Sequence, residues 1–154
     1  MKRTPRLLAL DLGRKTGWAH NLNRVGVVCG TRTHANERDA LQYFESILCG
    51  LPIVPDAVIY EDVKRHIGTE AAHRYGGYLA LLRAACQRQG VEVVDVGVGV
   101  GTIKKWATGK GNASKSAVMQ AMRNRGYEPK DDNAADALAL LLHALEMRLV
   151  EVGT

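Results

Sequence analysis

The sequence predicts an α/β fold in which helices flank a mixed β-sheet. Strand-length apolar runs recur along the chain, and the later runs alternate with longer segments of helical periodicity. Glycines and asparagines separate these segments, and we see no internal repeat or linker-like tract. We therefore expect one domain over residues 1–154, a length typical of a single hydrophobic core.

Five apolar segments define the predicted sheet. They lie at residues 7–12, 16–20, 24–30, 57–63 and 91–96. A glycine ends the first segment, and an Asn-Leu-Asn turn joins the second and third as in a hairpin. The fourth and fifth are separated by a helical segment, which is typical of parallel strands. The sheet should therefore contain both antiparallel and parallel pairs.

Four segments show the spacing of apolar residues that is typical of helices. They lie at residues 36–48, 69–89, 114–125 and 133–149. The second carries Gly76 and Gly77 in its middle, and each glycine costs about 1 kcal/mol relative to alanine. Two explanations are open: another backbone approaches the helix closely within the fold, or a second subunit contacts it there.

Charge and cysteine content narrow the classes of function. Twenty-one Lys and Arg residues against sixteen Asp and Glu residues give a net charge of +5. No acidic residue lies between Asp95 and Glu128, a stretch that carries six basic residues and favours an acidic partner or a solvated face. Three widely spaced cysteines predict neither a disulfide framework nor a zinc cluster. With no apolar run long enough for a membrane span or signal peptide, we expect a cytoplasmic protein, in the host cytoplasm if a phage encodes it.

Three carboxylates lie in segments that are otherwise apolar. Asp11 interrupts LALDLG, Glu61 interrupts AVIYEDV, and Asp136 interrupts NAADALALLLHAL. A buried carboxylate is costly unless it is paired or binds a cation. Three of them on separate elements indicate a shared metal site, and ligation by oxygen alone favours Mg²⁺ or Mn²⁺.

The start of the last helix adds a fourth acid. Asp132 and Asp136 are four residues apart, so both project from the same face of the helix. A helix starting here could also be capped by Asp131, Asp132 or Asn133. Capping explains Asp132 well but leaves Asp136 unexplained, because its neighbours are apolar.

At these residues the sequence resembles a known family. The segments LALDLGRKTGWA, VIYEDV, GTIKKWATGKGNASKSAV and DNAADALALLLHA are similar, in this order, to motifs of the RuvC-type Holliday junction resolvases, particularly the compact phage-type members. The resemblance implies an RNase H-like fold with a five-stranded mixed sheet flanked by helices. It also implies a homodimer that acts on four-way DNA junctions and other branched DNA. Paired symmetric nicks would leave 5′-phosphate and 3′-hydroxyl ends.

The resemblance also implies roles for individual residues. Asp11, Glu61 and Asp136 would be catalytic ligands of Mg²⁺ or Mn²⁺, with two ions in each site. We expect Asp132 to be the fourth ligand, and Asn133, which stands at the family's usual position, is the alternative. Lys115 matches the active-site lysine of the family.

DNA contacts are expected along the basic segments. The residues expected to bind DNA are Lys64, Arg65, Lys104, Lys105, Lys110 and Lys115. Of these, Lys104 matches a second lysine of the family pattern. The family often carries an aromatic residue shortly after the strand glutamate, where this chain has Lys64-Arg65-His66, so Arg65 or His66 would take its place at the junction.

Two other functions fit parts of the sequence. An RNase H-fold nuclease acting on structured RNA, such as a ribosomal RNA precursor, shares the N-terminal strand motif. A protein that binds junctions without cutting them would share the basic segments. Neither alternative explains the full set of carboxylates together with the glycine-rich and lysine-rich stretch at residues 109–115.

Overall fold

The computed structural model describes residues 3–63 and 66–153. Within that part of the chain one mixed sheet has the order β3-β2-β1-β4-β5. Its strands are β1 (Leu7–Asp11), β2 (Lys15–Asn23), β3 (Gly26–Thr33), β4 (Ala57–Asp62) and β5 (Glu92–Gly99). Strand β2 pairs antiparallel with β1 and β3, whereas β4 pairs parallel with β1 and β5. The predicted α/β class and the mixed sheet are confirmed.

Helices cover both faces of the sheet. They are α1 (Glu37–Gly50), α2 (Thr69–Gln89), α3 (Val100–Thr108), α4 (Lys115–Asn124) and α5 (Asp132–Glu146). The sequence did not predict α3, because the glycines around its start are typical of a loop. Gly101 lies in its first turn, where its Cα faces the carbonyl oxygen of Gly111, and an added Cβ would sit 3.6 Å from that oxygen. Buried Ile103 anchors α3 to the core.

Two apolar cores lie on opposite faces of the sheet. Alternation along β1 sends Leu7 and Ala9 into the core with α3, α4 and α5, and sends Leu8 and Leu10 into the core with α1 and α2. Helix α5 is buried along most of its length, so packing rather than helix propensity holds it in place. In the described part of the chain no helix is long and apolar enough to cross a membrane.

The two glycines within α2 have open space beside them. An added Cβ would meet nothing within 4 Å at either Gly76 or Gly77. Close packing within the described fold therefore does not explain them, and that explanation is wrong. The contact with a second subunit stays a prediction.

Candidate active site

One row of residues crosses three strands at the end of the sheet where Asp11 lies. Asp11 is the last residue of β1 and pairs with Gly17 of β2, which in turn pairs with Thr31 of β3. Residues paired in this way point to the same face of a sheet. Side chains alternate between the two faces along β1, so Asp11 points to the same face as Leu7 and Ala9. Helix α5 covers that face.

The residue just before α5 is bound to this row. The Asp131 carboxylate is the N-cap of α5, and its Oδ1 accepts the amide of Ala134 at 2.9 Å. The same oxygen accepts the hydroxyl of Thr31 at 2.5 Å. Of the three capping candidates, the structure therefore selects Asp131. This leaves the carboxylate of Asp132 for the site.

Gly17 allows α5 to lie against the sheet. A Cβ at this position would be 2.0 Å from the carbonyl oxygen of Asn133 and 3.3 Å from the Cβ of Ala137. Only a residue without a side chain fits here, because the atom in the way belongs to a helix backbone. The close approach brings the turn that carries Asp136 over the strand next to Asp11.

Three of the predicted carboxylates lie close enough to interact electrostatically. Burial raises the pKa of Asp11 well above its ordinary value, and the charges of Glu61 and Asp136 raise it further. Burial and the charge of Asp136 raise the pKa of Glu61 to about 7. Burial also raises the pKa of Asp136 to about 6, with a further contribution from Asp132. The site thus concentrates carboxyl groups in a place with little access to water, where burial and mutual repulsion oppose their ionisation unless a cation binds.

Lysines lie beside this cluster. Lys115, the first residue of α4, donates a hydrogen bond from Nζ to Asp132 Oδ2 at 2.6 Å. That bond lowers the pKa of Asp132 and raises the pKa of Lys115. Lys104 on α3 lowers the pKa of both Glu61 and Asp136, which places its ammonium group near them. Part of the negative charge is therefore compensated.

The carboxylates fit a divalent cation in their chemistry. From the described residues, no side-chain hydrogen bond or ion pair reaches the carboxylates of Asp11, Glu61 or Asp136. Buried acidic groups without such partners need a counter-charge, and oxygen donors suit Mg²⁺ or Mn²⁺. Among residues 3–63 and 66–153, however, no three Asp, Glu, His or Cys side chains already surround a common point as a ligand set. They are neighbours that repel each other, and binding an ion would require them to move together.

The predicted DNA-binding residues that the structure describes lie on α3, in the α3–α4 loop and at the start of α4. Lys104 is half-buried and Lys105 exposed on α3, and Lys110 is exposed in the α3–α4 loop. Lys115 is exposed at the start of α4, where the Ser114 hydroxyl caps the helix by accepting the amide of Ala117. Lys64 and Arg65 lie outside the described residues.

His66, one of the two expected substitutes for the family's aromatic residue, is half-buried. Its ring centroid lies 5.0 Å from that of Tyr75 on α2. The Tyr75 hydroxyl donates to the main-chain carbonyl of Glu61 at 2.8 Å, so α2 supports the strand end that carries this carboxylate.

Sequence reasoning missed Thr31, and it gave no role to Gly17, which lies within the segment LALDLGRKTGWA. A threonine in a strand and a glycine near a turn are both common, and neither carries a signal by itself. Their importance comes from strand register and from contacts with α5, which lies about 100 residues away in the chain.

The raised acid pKa values predict how stability depends on pH. The pKa of Glu61 is 4.5 ordinarily and about 7 when folded, so the folded chain keeps a proton that the unfolded chain has lost. Stability should therefore fall as pH rises from 4.5 to 7, by up to about 3 kcal/mol from this group alone.

This prediction is checked by urea unfolding at pH 5 and pH 8 in EDTA, comparing wild type with Glu61→Gln. The variant should gain stability relative to wild type at pH 8 but not at pH 5. Three histidines have lowered pKa values in the folded chain: His20, His34 and His143. Below pH 6.5 their contribution makes stability rise with pH, which opposes the trend from Glu61. Because wild type and variant share these histidines, comparing the two proteins removes that contribution. An equal difference at both pH values would contradict the prediction.

This architecture is the RNase H-like α/β fold, as the resemblance in sequence predicted. The solved structure of Thermus thermophilus RuvC is similar to this chain, with a TM-score of 0.69 and 21% identity over 94% of this chain and 96% of that chain. RuvC of the same organism in complex with a Holliday junction substrate gives a TM-score of 0.72 and 22% identity over the same shares. The solved structure of the yeast mitochondrial Holliday junction resolvase is similar with a TM-score of 0.60 and 14% identity, over 90% of this chain and 77% of that chain. No family model and no curated protein sequence matches the chain. The resemblance to RuvC-type resolvases is thus confirmed at the level of the fold.

Proposed function

We propose that this protein is a structure-selective DNA endonuclease that resolves four-way junctions by hydrolysis that depends on a divalent metal. The observation that carries the proposal is the gathering of Asp11, Glu61, Asp132 and Asp136 beside Lys115 at one end of the sheet. The fold on which they gather is shared with junction resolvases over nearly the whole chain.

Asp11, Glu61 and Asp136 would hold the metal, with Asp132 as the fourth carboxylate. Divalent cations bound there would activate water for attack on phosphorus and stabilise the leaving 3′-oxygen. Asp132 fits the fourth position because its carboxylate already contributes to the charge around Asp11. Asn133 fits it less well, since its main chain is pressed against Gly17.

The chain's own cations would bind and orient the DNA strand. Lys115 is protonated at neutral pH, since Asp132 raises its pKa, and it is exposed enough to reach a phosphate. The N-terminus of α4 carries no acidic residue in its first turn, which favours an anion at that end. Lys105 and Lys110 would extend the contact along the backbone of the DNA. Such contacts hold the phosphate in place but do not read the bases.

Symmetric cutting requires two sites, so we propose a homodimer with the exposed middle of α2 at its interface. The open space beside Gly76 and Gly77 would let a second backbone approach closely. Two sites related by a two-fold axis would nick strands of like polarity and leave ends that can be ligated, with 5′-phosphate and 3′-hydroxyl groups.

A substitution at Gly77 tests this interface. Gly77→Arg should weaken self-association at least about tenfold, because a bulky charge would desolvate poorly in a close helix contact. Sedimentation velocity over a concentration series measures the change. Gly50→Arg is the matched control, since Gly50, the last residue of α1, likewise has nothing within 4 Å of an added Cβ. A wild-type monomer, or equal association of both variants and wild type, would contradict the proposed interface.

A panel of substrates tests the proposed function against its alternatives. The protein is incubated with a labelled four-way junction, a linear duplex of the same sequence and an RNA hairpin, in Mg²⁺ or Mn²⁺. We expect cleavage of the junction and little cleavage of the duplex. Tight junction binding without cutting in either metal would favour the binding protein, and cleavage of the RNA alone would favour the RNA-processing nuclease.

A further inference from the structure

We propose that Thr31 is a positioning residue of the active site: with the bare backbone of Gly17, its hydroxyl sets where α5 presents Asp136 to Asp11. This inference rests on the proposed function and deepens it. Thr31 lies on the edge strand β3, outside every motif that carries the resemblance to resolvases.

The start of α5 packs against the row of residues Asp11, Gly17 and Thr31. Adjacent strands are about 4.8 Å apart, so the row spans roughly 10 Å across β1, β2 and β3. The five steps from residue 131, the N-cap, to residue 136 rise about 7.5 Å along the helix, which is of the same order as the width of the row. Each member of the row has its own contact on the helix. Thr31 bonds to Asp131, Gly17 faces the carbonyl of Asn133, and Asp11 lies near Asp136.

The hydrogen bond that the Thr31 hydroxyl donates is short, and its acceptor, Asp131, is the N-cap of α5. A hydroxyl that donates to a carboxylate at 2.5 Å is a charge-assisted hydrogen bond, which is stronger than one between neutral groups. Because the accepting oxygen of Asp131 also binds the amide of Ala134, the bond orients the first turn of α5. That turn carries Asp132, and the next carries Asp136.

The part of α5 that follows Asp136 does not depend on Thr31. Six apolar residues of that part, from Ala137 to Ala144, are buried in the core and hold it on the sheet. Loss of the hydroxyl should therefore loosen the first turn without releasing the helix. A displacement of about 1 Å at reacting groups can cost roughly 100-fold in rate, so loosening of this turn should be visible in catalysis.

Thr31→Val removes the hydroxyl, and Thr31→Ser retains it. Thr33→Val is the matched control, since Thr33 lies two residues along the same strand and is exposed. At a temperature where all variants are folded, Thr31→Val should lower kcat for junction cleavage about tenfold and leave KM within about twofold. The same variant should weaken Mn²⁺ binding, measured by electron paramagnetic resonance of the free ion, by about five- to tenfold. Thr31→Ser should have the kcat and the Mn²⁺ affinity of wild type, and so should Thr33→Val.

Two results would overturn the positioning role. One is a Thr31→Val protein that melts earlier but keeps the wild-type kcat and Mn²⁺ affinity. The other is a Thr31→Ser protein as impaired as Thr31→Val. A wild-type protein that neither cuts a junction nor binds Mn²⁺ would instead overturn the proposed function, and the positioning role with it.

Discussion

Asp11→Asn should abolish junction cleavage while leaving the protein folded. The substitution keeps the shape of the side chain but removes the charge at the centre of the carboxylate cluster. We expect the single-turnover rate to fall by roughly 1,000-fold or more, the scale seen when a group that stabilises the transition state is lost. Junction binding in EDTA should stay near the wild-type level or improve, because one negative charge beside the DNA is gone.

The same substitution should raise stability without metal. Burial and three neighbouring carboxylates oppose ionisation of Asp11, so its neutral replacement relieves repulsion in the folded state. Urea unfolding at pH 8 in EDTA measures this, with Glu92→Gln at an exposed position of β5 as the control. A variant that cuts at more than about a tenth of the wild-type rate would contradict the catalytic role. One that is strongly destabilised would instead show that Asp11 is structural.

Gly17→Ala should cause a large loss of stability for a single added methyl group. The new Cβ would lie 2.0 Å from a main-chain carbonyl oxygen, a distance at which the helix must shift. Overpacking of this kind costs about 1–3 kcal/mol and occasionally more. Because the shift would move α5 away from Asp11, we also expect at least a roughly 100-fold loss of junction cleavage.

A matched glycine separates this effect from the general effect of adding a methyl group. Gly50 lies at the end of α1 with nothing within 4 Å of an added Cβ, so Gly50→Ala should change stability little or raise it. Thermal unfolding of both variants and cleavage below their melting points provide the comparison. Wild-type stability and activity in Gly17→Ala would mean that α5 does not pack closely against Gly17.

The carboxylates of the candidate site could be singled out from the sequence because their surroundings are apolar. Asp11, Glu61 and Asp136 each interrupt a run that would otherwise be core, and that contrast is local in the sequence. The strands and four of the helices could be predicted for the same reason, since their periodicity is local. Helix α3 could not, because the glycines around its start, Gly99 and Gly101, are typical of a loop.

The arrangement that positions the carboxylates could not be predicted from local patterns. Three neighbouring residues were equally good caps for α5, and the folded chain selects Asp131, whose carboxylate accepts both the Ala134 amide and the Thr31 hydroxyl. Strand register brings these groups together from separate parts of the chain. Long-range pairing of this kind leaves no periodic signal, although it decides where Asp136 lies.

The most direct test of this account is the location of Mn²⁺ in crystals of the protein soaked at pH 8, above the raised pKa of Glu61. The anomalous scattering of manganese identifies the ion without reference to activity. We expect peaks between Asp11, Glu61 and Asp136, with Asp132 at their edge, and no such peaks in Asp11→Asn crystals. Full soaking without a peak among these carboxylates, or a manganese site elsewhere that Asp11→Asn leaves intact, would contradict the account.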